Sequence, residues 1–120
     1  MQTHKDLRVW QEAIKFVTQI YKLTENFTKT EIYGLTSQLR RAAVSVPSNI
    51  AEGSARKGNK EKIHFFYTAL ASNSEIETQL IISKNLNFIS VESFEIFEKQ
   101  NNQIGRQLVK LIQYLQNNTK

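Results

Sequence analysis

The sequence predicts an all-α protein, an up-down antiparallel four-helix bundle with a kink at a proline in its second helix. Apolar residues recur at steps of three and four over four long segments, as one face of a helix requires. Four glycines and one proline in 120 residues are too few for the many turns of an all-β chain. The polar breaks near residues 27–31, 56–59 and 85–90 are short, which favours antiparallel neighbours within a single domain spanning residues 1–120.

The first segment predicts a helix that follows Asp6 as its N-cap. Its main apolar row is Val9, Ala13, Phe16, Val17, Ile20, Leu23 and Phe27. A second row lies beside the first and consists of Trp10, Ile14, Val17 and Tyr21. The apolar surface is therefore wider than one packing partner requires, and we expect further copies of the chain to cover it in a homo-oligomer. The alternative is a monomer with scattered exposed apolar residues, which are normal on protein surfaces.

The second segment carries a helical apolar repeat from Leu35 to Ile50, interrupted by Pro47. Proline has no N–H to donate to the carbonyl four residues earlier and crowds it, so a kink or break is expected there. Asn49 and Glu52 are candidates to satisfy the backbone that this proline frees. Gly53 and the glycine at position 58 favour the end of the helix.

Asn59 is the expected N-cap of the third helix and Ser90 that of the fourth. Asn73, Ser74 and Glu77 interrupt the apolar rows of the third helix. At least one of these polar groups is expected to be buried and to need a hydrogen-bond partner, with a role in helix register or subunit pairing.

The composition excludes several kinds of chemistry. The chain has no cysteine and two histidines, which removes thiolate sites and leaves little for a metal cluster. Glu61 and His64 have the Glu-x-x-His spacing of di-iron bundles, but the second motif and the further glutamates are missing. No glycine-rich phosphate loop or paired acid is present. We expect no enzyme activity, no cofactor and no metal and, since neither a signal peptide nor a membrane span is visible, a cytoplasmic protein.

The charge is unevenly distributed along the chain. Residues 35–62 hold six cations against two carboxylates, residues 63–98 hold one cation against five, and residues 99–120 hold four cations and no carboxylate. A concentrated basic stretch is typical of phosphate contacts with nucleic acid, although a solvated helix face is an equally common explanation. Whether residues 99–120 join the same surface depends on the tertiary structure. The candidate nucleic-acid-binding residues are Arg40, Arg41, Arg56, Lys57, Lys60 and Lys62.

Three segments carry a resemblance to a known family: DLRVWQEA (6–13), EIYGLTSQLRRAAVSVPSNIAEGSAR (31–56) and SEIETQL (74–80). In order and spacing they resemble the four-helix-bundle proteins encoded in intervening sequences of bacterial 23S rRNA genes. Arg40 and Arg41 match the family's RR pair, Arg56 the basic residue after its AEG element, and Pro47 its proline. The fold is more distantly similar to the accessory variability determinant of diversity-generating retroelements, a ring-shaped pentamer that works with a reverse transcriptase and nucleic acid.

The resemblance implies a homopentamer without known catalytic activity, for which nucleic-acid binding is proposed on charge grounds. The first hypothesis is therefore a non-enzymatic, pentameric basic bundle that binds RNA or DNA through phosphate contacts. The alternative is a protein-interaction scaffold that docks a partner such as a polymerase or a ribosome-associated protein. Both hypotheses expect self-association and no membrane contact.

Overall fold

The structure, a computed structural model, describes residues 3–118 and contains four long helices in that range. They are α1 (Arg8–Thr24), α2 (Leu35–Ser54), α3 (Asn59–Asn85) and α4 (Val91–Asn117). Short 3-10 turns at His4–Asp6 and Lys29–Glu31 precede α1 and α2, and the described residues form no strand. The predicted all-α four-helix bundle is confirmed, and its connections fall at the three predicted breaks.

The bundle measures 49 × 21 × 21 Å, and its helices stand in a square. Each helix packs on its two neighbours in the cycle α1–α2–α3–α4, while the described residues of the diagonal pairs keep their Cα atoms more than 8 Å apart. The most fully buried aliphatic side chains lie along the axis, and each stabilises the fold by about 1.5–3 kcal/mol relative to exposure. These side chains are Ile20, Leu39, Ile50, Ile76, Leu80 and Leu108. No helix formed by residues 3–118 is both long enough and apolar enough to cross a bilayer.

The expected cap at Asp6 is wrong, because Asp6 belongs to the 3-10 turn before α1. Its Oδ2 accepts from the backbone N–H of Thr3 at 2.9 Å, while Thr3 Oγ1 accepts from the N–H of Lys5 at 3.2 Å. The two side chains thus close a capping box around the turn. Leu7 is the residue in the N-cap position of α1, and its side chain makes no capping hydrogen bond.

Of the two N-caps expected for α3 and α4, the one of α4 is confirmed and the one of α3 lies one residue earlier than expected. Ser90 caps α4, and its Oγ accepts from the N–H of Ser93 at 3.0 Å. In α3 the N-cap position is taken by Gly58, whose backbone is extended, so Asn59 is already the first helical residue. A helix can begin at a glycine because the N-cap position tolerates it nearly as well as a polar residue.

The helix α2 continues through Pro47 without a break from Leu35 to Ser54. The expectation that Asn49 and Glu52 satisfy the backbone freed by the proline is wrong. Asn49 Nδ2 donates to the Ser45 carbonyl at 2.8 Å, four residues back, and not to the carbonyl of Ala43, which lies six residues back. Glu52 forms an ion pair with the arginine at position 56 instead.

A buried pair of asparagines joins α3 to α4. Asn73 Nδ2 donates to both the carbonyl oxygen and Oδ1 of Asn101 at 2.8 Å, and Asn101 Nδ2 donates to the carbonyl of Asn73 at 2.9 Å. Gly105 makes room for this arrangement, since a Cβ there would lie 2.6 Å from Asn73 Oδ1. The expected buried polar group is therefore Asn73, whereas Ser74 is exposed. The pair fixes the register of α3 against α4.

Candidate nucleic-acid interface

Arg40 lies in the first half of α2, and its side chain contacts the end of α1. Its Nε donates to Thr24 Oγ1 at 2.8 Å, one Nη donates to the carbonyl of Tyr21 at 3.3 Å, and its guanidinium lies 4.6 Å from the centre of the Tyr21 ring. A cation at the last turn of a helix is also favoured by the helix dipole. Two of the five N–H donors of Arg40 are thus engaged within the chain, and its phosphate contact stays a prediction.

Arg41 differs from its neighbour because the helix turns it toward solvent. It is exposed and has no hydrogen-bond or ion-pair partner among residues 3–118. From Arg41 to the end of α2 at Ser54, two residues before Arg56, the helix rises by about 20 Å at 1.5 Å per residue. The basic stretch of the sequence is therefore divided between two places on the bundle.

The other four candidates surround the connection between α2 and α3. Lys62 Nζ donates to the carbonyl of Ser54 at 3.1 Å and so closes the C-terminal end of α2. Arg56 pairs with Glu52 at 3.2 Å and lies 4.7 Å from the centre of the Phe65 ring. This exposed ion pair is worth about 0.3–0.5 kcal/mol, so a phosphate can displace the carboxylate at little cost.

Lys57 and Lys60 are the two cations at this connection that make no other interaction. Both are exposed, and neither has a hydrogen-bond or ion-pair partner in the described part of the chain. Together with Arg56 they form a cationic surface, which we call the α2–α3 tip (Arg56, Lys57, Lys60).

Two basic residues of the C-terminal stretch lie on the opposite side of the bundle. Arg106 and Lys110 of α4 line a groove together with Arg8 of α1. Because the helices form a square, the seam between α1 and α4 faces away from the seam between α2 and α3. Only the one-turn spacing of Arg106 and Lys110 indicates this grouping in the sequence, since Arg8 lies almost a hundred residues earlier. Lys120 lies outside the described residues.

The residues considered for a metal site do not form one. Glu61 and His64 are both exposed on α3, and the His64 ring packs edge-on against Phe65 at 5.4 Å. Within residues 3–118 no three histidine or carboxylate side chains come together as metal ligands.

The second apolar row of α1 lines an open groove against α2. Trp10, Ile14 and Val17 face Val44 and Pro47 across it. Ile14 is 40% exposed and Val44 39%, so neither side of this groove is covered within the chain. We call it the α1–α2 groove.

Comparisons with known proteins show the fold through a solved structure and the family through a family model. A crystal structure of a protein of unknown function from the S23 ribosomal protein family of Bacteroides thetaiotaomicron superposes with a TM-score of 0.78 at 22% identity, covering 87% of this chain and 97% of that one. A search of curated proteins finds no match. The family described as 23S rRNA-intervening sequence protein matches residues 5–110. The chain therefore belongs to the 23S rRNA-intervening sequence protein family.

Proposed function

We propose that this protein is a non-enzymatic, cytoplasmic homo-oligomer that binds RNA or DNA through contacts with phosphate groups. The observation that carries the proposal is the pair of exposed lysines, Lys57 and Lys60, beside Arg56 at the α2–α3 tip. Neither lysine has a hydrogen-bond or ion-pair partner within residues 3–118. Such lysines can bind the phosphates of a polyanion without first breaking hydrogen bonds or ion pairs within the protein. Repetition of the tip around an oligomer raises the effective concentration of each contact.

The nucleic-acid proposal predicts steep salt dependence and a defined effect of the tip lysines. Each phosphate contact contributes about −0.9 to the slope of log K against log salt on duplex and about −0.7 on a single strand. In Lys57→Gln/Lys60→Gln we expect the slope on duplex to become shallower by about 1.8. Fluorescence anisotropy measures the slope between about 50 and 200 mM salt, with a labelled structured RNA and a DNA duplex of matched length as probes.

The matched control is Lys22→Gln/Lys29→Gln, which removes the same charge from two exposed lysines near the far end of α1. The control is expected to keep the wild-type slope. Equal slopes for the two variants would show that the tip makes no phosphate contact, and failure of the wild-type chain to bind either probe would refute nucleic-acid binding altogether.

Self-association through the α1–α2 groove is supported by its open apolar lining. We expect wild-type protein to scatter light as about five times the 13.9 kDa chain mass. Charges placed there by Ile14→Glu/Val44→Glu would be buried without partners in the assembly, which costs several kcal/mol and should leave monomers. Ile96→Glu is the control, because Ile96 is 59% exposed on α4 and far from the groove. An oligomer that survives the double substitution would place the interface elsewhere.

A scaffold that docks a protein partner is the second candidate. It is favoured by the connection between α1 and α2, where Tyr33 is 94% exposed and Ile32 54%. Adjacent exposed apolar side chains on a loop are suited to burial by another protein. An oligomer whose mass is unchanged by RNA and DNA at low salt would favour this candidate over nucleic-acid binding.

A further inference from the structure

Three faces of α1 have different chemistry. One enters the core through Val9, Ala13 and Phe16, and a second is the apolar row of the α1–α2 groove. The third face points toward α4 and is polar. Arg8 and Lys15 lie on it seven residues apart, so they share one side of the helix about 10 Å from each other along the axis.

The polar face of α1 meets a basic face of α4 across a continuous groove. Two adjoining depressions share Glu12 and Gln103 in their lining. One brings Arg8 of α1 together with Arg106 and Lys110 of α4, and the other is lined by Lys15 of α1 and by glutamines of α4. We call this the α1–α4 groove. Its remaining polar lining consists of glutamine side chains, and Glu12 is its one carboxylate.

The cations of the α1–α4 groove are largely uncompensated. Lys15, Arg106 and Lys110 have no hydrogen-bond or ion-pair partner among residues 3–118. Arg8 makes a 3.8 Å contact with Glu12, and Glu12 also accepts a hydrogen bond from Gln107. Four cations thus face one carboxylate that is already engaged, and a concave wall of low dielectric concentrates their field.

The spacing of the cations suits a chain of charges. Arg106 and Lys110 are one turn apart on α4, about 6 Å along its axis. The axes of packed helices are about 8–10 Å apart, so a strand lying in the groove meets cations from both sides. The apolar floor offers no stacking surface, since Phe16 is 3% exposed. The cations would therefore contact the phosphate backbone of the strand and not its bases, so binding would show little sequence preference.

We propose that the α1–α4 groove binds the phosphodiester backbone of a nucleic acid through Arg8, Lys15, Arg106 and Lys110. The proposal rests on the proposed function, and it adds a second phosphate surface on the side of the bundle opposite the α2–α3 tip. The α1–α2 groove lies on an adjacent side of the bundle.

The test compares Arg106→Gln/Lys110→Gln with the tip variant and with Lys22→Gln/Lys29→Gln. The control lysines are exposed and do not line the α1–α4 groove. Anisotropy titrations use a single-stranded RNA, a single-stranded DNA and a duplex of equal length. The groove variant is expected to lose affinity at least tenfold at low salt, with a slope shallower by about 1.4 on single strands or about 1.8 on duplex.

The outcomes separate the groove from the general function. Stronger loss on single strands than on duplex identifies one strand as the occupant, and the reverse identifies duplex; either result supports the groove. If the wild-type chain binds the probes and the groove variant binds them as tightly as the control does, the groove proposal is refuted but nucleic-acid binding is not. An acidic protein is then the better candidate for the groove. If the wild-type chain binds none of the probes, both fall. Circular dichroism melting of each variant verifies that the fold is intact.

Discussion

Asn101→Ala is expected to lower the free energy of unfolding by about 2 kcal/mol, since it removes two buried hydrogen bonds that contribute about 1 kcal/mol each. The substitution removes the Asn101 Nδ2 bond to the Asn73 carbonyl and the Oδ1 acceptor of Asn73 Nδ2. Asn101 is 1% exposed, so water cannot replace either bond without entering the core. Urea denaturation at fixed protein concentration, followed by far-UV circular dichroism, measures the loss.

Asn102→Ala is the matched control, because it makes the same chemical change one residue away at a half-exposed position. It should alter stability by less than about 0.5 kcal/mol. Asn73→Ala/Asn101→Ala is expected to cost less than the sum of the two single substitutions, since each single substitution already removes the bond from Asn73 Nδ2 to Asn101 Oδ1. Equal stability of the Asn101 and Asn102 variants would show that the asparagine pair contributes nothing.

Gly53→Val is expected to destabilise the protein by about 3 kcal/mol, at the upper end of the usual cost of overpacking. A Cβ on Gly53 would lie 2.8 Å from Cε1 of Phe66 and 3.0 Å from Cβ of Phe65. The Phe66 ring is 2% exposed and held by the core, and the Cβ of Phe65 cannot move without its backbone. The close approach of α2 to α3 at this point therefore requires glycine.

Gly58→Ser provides the comparison for Gly53→Val. No heavy atom lies within 4 Å of a Cβ built on Gly58, and its φ of −94° is open to any residue. Serine in this N-cap position can accept a hydrogen bond from the first turn of α3, so stability should be unchanged or slightly higher. Thermal melts of the two variants check the contrast. Similar melting temperatures for the two variants would mean that α2 and α3 can move apart at Gly53 at little cost, contrary to the prediction.

The sequence predicted the four helices and their connections because each helix buries a continuous apolar stripe, and such stripes are local patterns. It also predicted the cap at Ser90 and the burial of a polar group near Asn73. Single caps were less predictable: Asp6 has the right chemistry for a cap but closes the preceding turn instead. Neighbouring residues compete for the same N–H groups, and small differences in backbone angle decide between them.

The sequence by itself determined that the chain is a basic four-helix bundle of this family, with cations concentrated in residues 35–62. Only the tertiary structure decided which cations stand together. It engages Arg40 with the end of α1, places Asn101 opposite Asn73, and joins Arg8 to Arg106 across one groove. Helix formation depends on residues three and four apart, whereas these groupings join residues up to about a hundred positions apart, whose proximity depends on the order and register in which the helices pack.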